Sequence, residues 1–157
     1  MIKMKKLLYL FLALFSFSFV ACSSDSSVVN ADDTLYIKFT VNGVNYDFEP
    51  ETITSLRKLI AGNQEVGTVF TRLSLWMPVT PTVGSHALTN DTPTDANLGT
   101  LHNAELWVGN DTYAATSGTL VVTEIDNEYI KGTFTFTGND GNRVTISVTN
   151  GSFRALR

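Results

Sequence analysis

Few residue types in this chain are equipped for chemistry. It has one thiol, Cys22, and two imidazoles, His86 and His102. A catalytic or zinc-type metal set built on the histidines needs at least one carboxylate. The 15 acidic residues are scattered, and no ligand spacing singles one out. The histidines themselves sit in loop-like Thr/Asn/Gly stretches. There is no Gly-x-Ser-x-Gly elbow, phosphate loop or His-Glu-x-x-His. Asn139-Asp140-Gly141-Asn142 has the look of a calcium loop but lacks the further acidic ligands, and it reads as a turn. The expectation is a non-enzymatic protein with no cofactor and no metal. Binding chemistry is better represented. In the alternating segments Val69–Met77 and Ala104–Gly109, Trp76 and Trp107 fall on the polar side of their strands, flanked by Arg72 and Glu105. Two indoles with Arg72 beside them would form a platform for a sugar or another flat ligand. The alternative is that these faces cover each other, or pack beneath the Pro-rich stretch, as a minor core. Leu120 and Val122, read as pointing away from the main core, favour that alternative.

The thiol has its own context. Lys3, Lys5 and Lys6 precede an uncharged run from Leu7 to Val20, too short for the roughly 20 residues of a membrane-spanning helix. Phe19-Val20-Ala21-Cys22 follows, then Ser23-Ser24-Asp25-Ser26-Ser27. This pattern resembles the lipobox of bacterial lipoproteins, with Phe19 in place of the usual Leu. The resemblance implies that residues 1–21 are a signal peptide and that Cys22 is lipidated and becomes the mature N-terminus. More than one acyl chain gives stable anchoring without a span. Residues 22–33 then read as the lipidated cysteine and a flexible tether, and residues 34–157 as a single β domain. Loss of residues 1–21 removes three lysines and no acid, so the formal charge moves from −4 to −7. That acidic balance argues against nucleic acid as a partner and against a polybasic contact with anionic lipid. The partners expected are the membrane, through Cys22, and a glycan or another envelope protein. Asp33-Thr34-Leu35 resembles the short acceptor of bacteroidetes-type O-glycosylation, which would place a sugar on Thr34.

From Thr34 onward, period-two alternation punctuated by Asn-Gly, Asp-Gly and Pro predicts an all-β domain. About nine short strands would make an antiparallel β-sandwich or a partly open β-barrel. Asn42-Gly43 is a two-residue type I′ turn that sets Val41 opposite Val44, Phe39 opposite Tyr46 and Ile37 opposite Phe48. A second hairpin pairs Thr119–Ile125 with Tyr129–Thr137 across Asn127-Glu128. It places Ile125 opposite Ile130, Val121 opposite Phe134 and Glu124 opposite Lys131. In the third, a three-residue loop at Asn139-Asp140-Gly141 keeps Phe134 and Phe136 on one face with Val144, Ile146 and Val148. Thr133, Thr135, Thr137, Thr145, Ser147 and Thr149 are left on the solvated face. Ile53–Ala61 reads as one strand, although Leu56, Leu59 and Ile60 also fit a helical turn. Gly84–Leu88 reads as a short strand, and Pro78, Pro81 and Pro93 confine Thr80–Asn97 to edge or loop.

Gly118-Thr119-Leu120-Val121-Val122-Thr123-Glu124-Ile125-Asp126, Ile130-Lys131-Gly132-Thr133-Phe134-Thr135-Phe136, Val144-Thr145-Ile146 and Thr149-Asn150-Gly151-Ser152-Phe153 together carry a wider resemblance. With the Val41-Asn42-Gly43 hairpin, they are similar to small lipoproteins of unknown function from flavobacteria and other bacteroidetes. The resemblance covers most of residues 34–155 and transfers no functional residues. It implies a cell-envelope location, on the outer membrane in many such proteins, with the leaflet open because only Asp25 lies close behind Cys22. Palmitate labelling of the expressed protein is expected to vanish in Cys22→Ala; labelling that persists would overturn the anchor.

Overall fold

The computed structural model describes residues 34–142 and 144–157. The expected signal peptide, Cys22 and the tether lie outside them. The described chain is all β: β1 (Tyr36–Val41), β2 (Val44–Phe48), β3 (Glu51–Thr54), β4 (Lys58–Val66), β5 (Val69–Met77), β6 (Gly84–Ala87), β7 (Asn103–Val108), β8 (Asp111–Ile125), β9 (Tyr129–Asn139) and β10 (Thr145–Leu156). Ten strands replace the nine or so expected, and β8, β9 and β10, at 15, 11 and 12 residues, are not short.

The strands form one antiparallel sheet in the order β2-β1-β10-β9-β8-β7-β5-β4-β3, with β6 added beside β8. The two ends of that path, β2 and β3, are consecutive in the chain and separated only by Glu49 and Pro50. A single extended stretch therefore changes partner at Pro50, which has no N–H to donate to either ladder. The sheet curls into a partly open barrel, and the chain itself spans the seam. Across it, a Cβ on Gly62 would lie 2.7 Å from Phe48 Cβ, so β4 rests directly on β2. Thr52 Oγ1 donates to Leu156 O at 2.8 Å.

The first hairpin has the expected register throughout, with Asn42 at φ 50° and Gly43 at φ 79° supplying the two left-handed residues of a type I′ turn. The second has the expected Ile125–Ile130 and Glu124–Lys131 pairs, the latter an ion pair at 3.1 Å. Beyond it the register departs from parity. Val122 pairs with Gly132, leaving Thr123 as an extra residue, and Ala115/Ser117 likewise leave out Thr116. Both extra residues are threonines. Thr123 Oγ1 donates to Lys131 O at 3.3 Å and Thr116 Oγ1 to Thr137 O at 3.2 Å, so each bulge supplies a donor to the partner strand at the point of disruption. Between the bulges the faces are inverted. Leu120 and Val122 are fully buried in the main core, correcting the expectation that they point away from it, and Phe134 faces Leu120 in place of Val121.

In the third hairpin the turn closes between Asp140 and Val144, two residues farther along the chain than expected. The shift is even, so Phe134, Phe136, Ile146 and Val148 still share the core face and the six Thr and Ser residues are exposed. Val144 falls past the ladder and is 51% exposed. A bulge at Thr149–Asn150, with Asn150 at φ 53°, then moves the inward positions of β10 from even to odd, so that Gly151, Phe153 and Ala155 join the core. Asn tolerates that left-handed conformation better than most residues. The single strand expected over Ile53–Ala61 is instead the β3–β4 hairpin, bent at residues 55–57, with Ile53 paired to Leu59.

The interior is filled by side chains. Phe39, Phe48, Phe134 and Phe153 form a chain of rings with centroids 5.3–6.4 Å apart, joined by aliphatics from every strand of the barrel path except β2 and β3. Two glycines make this possible. Gly151 pairs with Phe134 and Gly132 with Phe153, and each ring lies over the glycine opposite. A Cβ on Gly132 would sit 2.3 Å from Val121 O and 2.7 Å from the Phe153 ring. Gly132→Ala is expected to lower stability by about 2–3 kcal/mol in urea unfolding. Gly99→Ala, where a Cβ meets no atom within 4 Å, should stay within about 0.5 kcal/mol of the parent. Equal midpoints for the two variants would contradict this packing.

Candidate functional site

Because the interior is full, binding chemistry has to be sought on the outside of the barrel. Along β5 and β7 the outward positions are Arg72, Ser74 and Trp76, facing Trp107, Glu105 and Asn103 respectively. Trp76 and Trp107 thus share a face, as the alternation implies. They are four residues apart along it, about 13 Å at 3.3 Å per residue, and belong to different surroundings.

Trp107 is 43% exposed, and its Nε1–H donates to Glu105 Oε1. Arg72, its cross-strand neighbour, is held by Glu51 at 3.4 Å and by Ser74. The guanidinium is thereby turned toward β3. Trp76 is half-buried and lines a cleft of about 540 Å³. One wall is apolar, from Ile53, Leu56, Leu59 and Trp76 of the β3–β4 hairpin and β5. The other is the segment Thr89–Pro93 with Leu98, and Arg57, Asn103 and Glu105 supply polar groups. The three residues expected to form one platform are therefore divided: Trp76 lines the cleft, and Arg72 and Trp107 lie outside it. Thr34, the candidate acceptor, is exposed just ahead of β1.

The second wall belongs to a strap, residues 88–102, between β6 and β7. Its ends meet: Leu88 and His102 form an isolated parallel bridge, and Thr89 N donates to His102 O at 3.2 Å. Leu88 and Leu101 are buried and anchor it. Within the strap Asn97 is the organiser. Its Oδ1 accepts from Thr94 N at 2.7 Å and its Nδ2 donates to Thr92 O at 3.1 Å. Asn103 ties the strap to the hairpin. Its Nδ2 donates to Thr89 O at 2.7 Å, and its Oδ1 accepts from Arg57 Nη1 at 2.6 Å. Arg57 Nη2 reaches Leu101 O at 2.8 Å. Desolvation lowers the Arg57 pKa from its ordinary value.

The histidines are not in separate loops. His86 is in β6, and its ring stacks on His102 with centroids 4.2 Å apart and planes 13° from parallel. His102 is 4% exposed. Its Nδ1–H donates to Thr100 O at 2.8 Å, which leaves Nε2 as a lone-pair nitrogen, buried and without a hydrogen-bond partner among the described residues. Burial pushes its pKa down to about 4, with further lowering from His86 and Arg57 and an opposing contribution from the Thr100 carbonyl. The rings are 16 positions apart in sequence, and neither lies in a motif that links them. Parallel rings hold their lone pairs in separate planes, so they cannot converge on one ion. Among the described residues no group of three or more His, Cys, Asp or Glu side chains could hold a metal.

No protein-family model matches the chain, and no curated protein or solved structure shows significant similarity to it. The site therefore stands on its geometry. Asn103→Ala removes the donor to Thr89 O and the acceptor of Arg57, and is expected to cost about 1–3 kcal/mol in urea unfolding. It should also make the strap more sensitive to limited proteolysis; an unchanged midpoint and cleavage pattern would show that Asn103 does not hold it.

Proposed function

We propose that this chain is a lipid-anchored lipoprotein of the bacterial cell envelope, held at the outer membrane through Cys22. Its β domain is a non-catalytic module that binds a ligand with a flat apolar face, a sugar ring, in the cleft beside Trp76. The observation that carries the reading is the cleft itself. An indole wall faces a short strap, with Asn103, Glu105, Asp91 and Arg57 around it, in a volume within the usual range of small-ligand sites. An indole presents an apolar face to the C–H side of a sugar, and the amide and carboxylate groups around it accept and donate to hydroxyls. The lipobox-like residues support the anchor, and the filled interior favours an external site over a binder in the barrel lumen.

A second reading rests on a different observation. Leu56, at the tip of the β3–β4 bend, is 77% exposed, and Ile53 beside it is 50% exposed. Apolar residues presented in this way suit contact with another envelope protein, and in that case the domain serves as an accessory subunit.

A glycan array probed with the full chain separates the two. Ligand binding predicts a glycan signal that Trp76→Ala reduces at least tenfold and that Trp107→Ala leaves within twofold. The accessory reading predicts no glycan signal, and a co-purifying envelope partner lost in Leu56→Asp. A glycan signal carried by Trp107 and indifferent to Trp76 would remove the cleft from the account.

A further inference from the structure

We propose that the strap of residues 88–102 is an acid-released lid, unpinned when the buried His102 ring, stacked on His86, takes up a proton. The consequence for a bound ligand rests on the cleft reading above; release of the strap does not.

Besides the bonds from Asn103 and Arg57, the strap is pinned beside the histidines. The strap closes through the Leu88–His102 bridge and the Thr89 N to His102 O bond, and Leu88 N donates to Gly118 O at 3.0 Å. The bridge and the Thr89 bond are made by the backbone of His102, whose ring stacks on His86. While His102 is neutral, its arrangement is satisfactory: Nδ1–H has an acceptor, and Nε2 carries no proton to lose one. A second proton on this ring would create a buried N–H with no acceptor among the described residues. The charge of the neighbouring imidazole, His86, 4.2 Å away, also disfavours it coulombically.

The surroundings offer no compensation. The β3–β4 bend contributes Arg57, a cation. β6 contributes His86, whose Nε2–H is already given to Thr82 O at 2.8 Å. The strap contributes Asp91, which lines the same recess. Its carboxylate accepts from Thr89 Oγ1 at 2.9 Å and forms no ion pair with either ring among the described residues. β8, which flanks β6, brings residues 119–122 and no titratable group. A charged His102 is therefore accommodated by leaving its site for water. Moving it loosens the Thr89 N to His102 O bond, one of those that close the strap, and the strap forms one wall of the cleft.

The sign follows from the direction of the shift. A ring that titrates near 4 in place and near 6.5 when released favours the released strap as pH falls from 6.5 toward 4. At pH 5 the bias relative to pH 7 is about twenty-fold. Hydrogen exchange of the full chain, corrected for intrinsic rates, tests this. Amides of residues 89–101 are expected to lose protection about twenty-fold between pH 7 and pH 5, while the β9 and β10 amides hold theirs. His102→Phe retains a ring to stack but takes no proton, and its strap should be equally protected at both pH values. Should that variant fail to fold, the His102 imidazole of the unsubstituted chain can be titrated by NMR, with a midpoint near 4 expected. Strap protection that is flat with pH, or a His102 midpoint at the ordinary 6.5, overturns the lid. Strap release without any ligand bound at either pH leaves the lid standing and counts against the cleft reading alone.

Discussion

The architecture depends on a reciprocal fit between two adjacent strands. Phe134 of β9 lies over Gly151 of β10, and Phe153 of β10 lies over Gly132 of β9. Neither ring has room unless the residue opposite lacks a side chain, and neither glycine contributes to a core unless a ring covers it. The bulge at Thr149–Asn150 is what brings these four residues opposite one another. Val148 still pairs with Phe136, but one step later the register has moved by a residue. From Phe134 the rings continue through Phe39 to Phe48 and so to the seam at Pro50. Placing two phenylalanines in the middle of the barrel fills it, and a filled barrel leaves its outside as the accessible surface.

Much of this was legible in the residues. Asn42-Gly43 set the first hairpin because a type I′ turn admits only one register. Parity placed Phe134, Phe136, Ile146 and Val148 on one face, and that survived a turn two residues out of place because the error was even. Parity failed where a strand carries an extra residue. Thr116, Thr123 and Asn150 each interrupt the alternation, and a threonine in a strand reads the same whether it is paired or bulged. Leu120 and Val122 were assigned to the wrong face for that reason. The bend at residues 55–57 was hidden because it contains no Gly, Pro, Asn or Asp.

The site was legible in part. Alternation put Trp76 and Trp107 on the outer face, but only the β5–β7 register shows that they are four residues apart along it. The histidine pair left no trace in the sequence, because stacking of His86 on His102 follows from β6 joining β8 and from the strap closing on itself. Asn103 and Asn97 look like ordinary loop asparagines. Their importance lies in the carbonyls and amides that the fold brings to them.

The central claim is that recognition occurs at Trp76, beneath the strap, and that the Trp107 end of the same outer face takes no part. The chain has two tryptophans and therefore two indole N–H resonances to follow. In an NMR titration with the oligosaccharide that binds best, the Trp76 indole signal is predicted to shift saturably while the Trp107 signal stays fixed. A saturable shift of Trp107 with Trp76 unmoved would contradict the account.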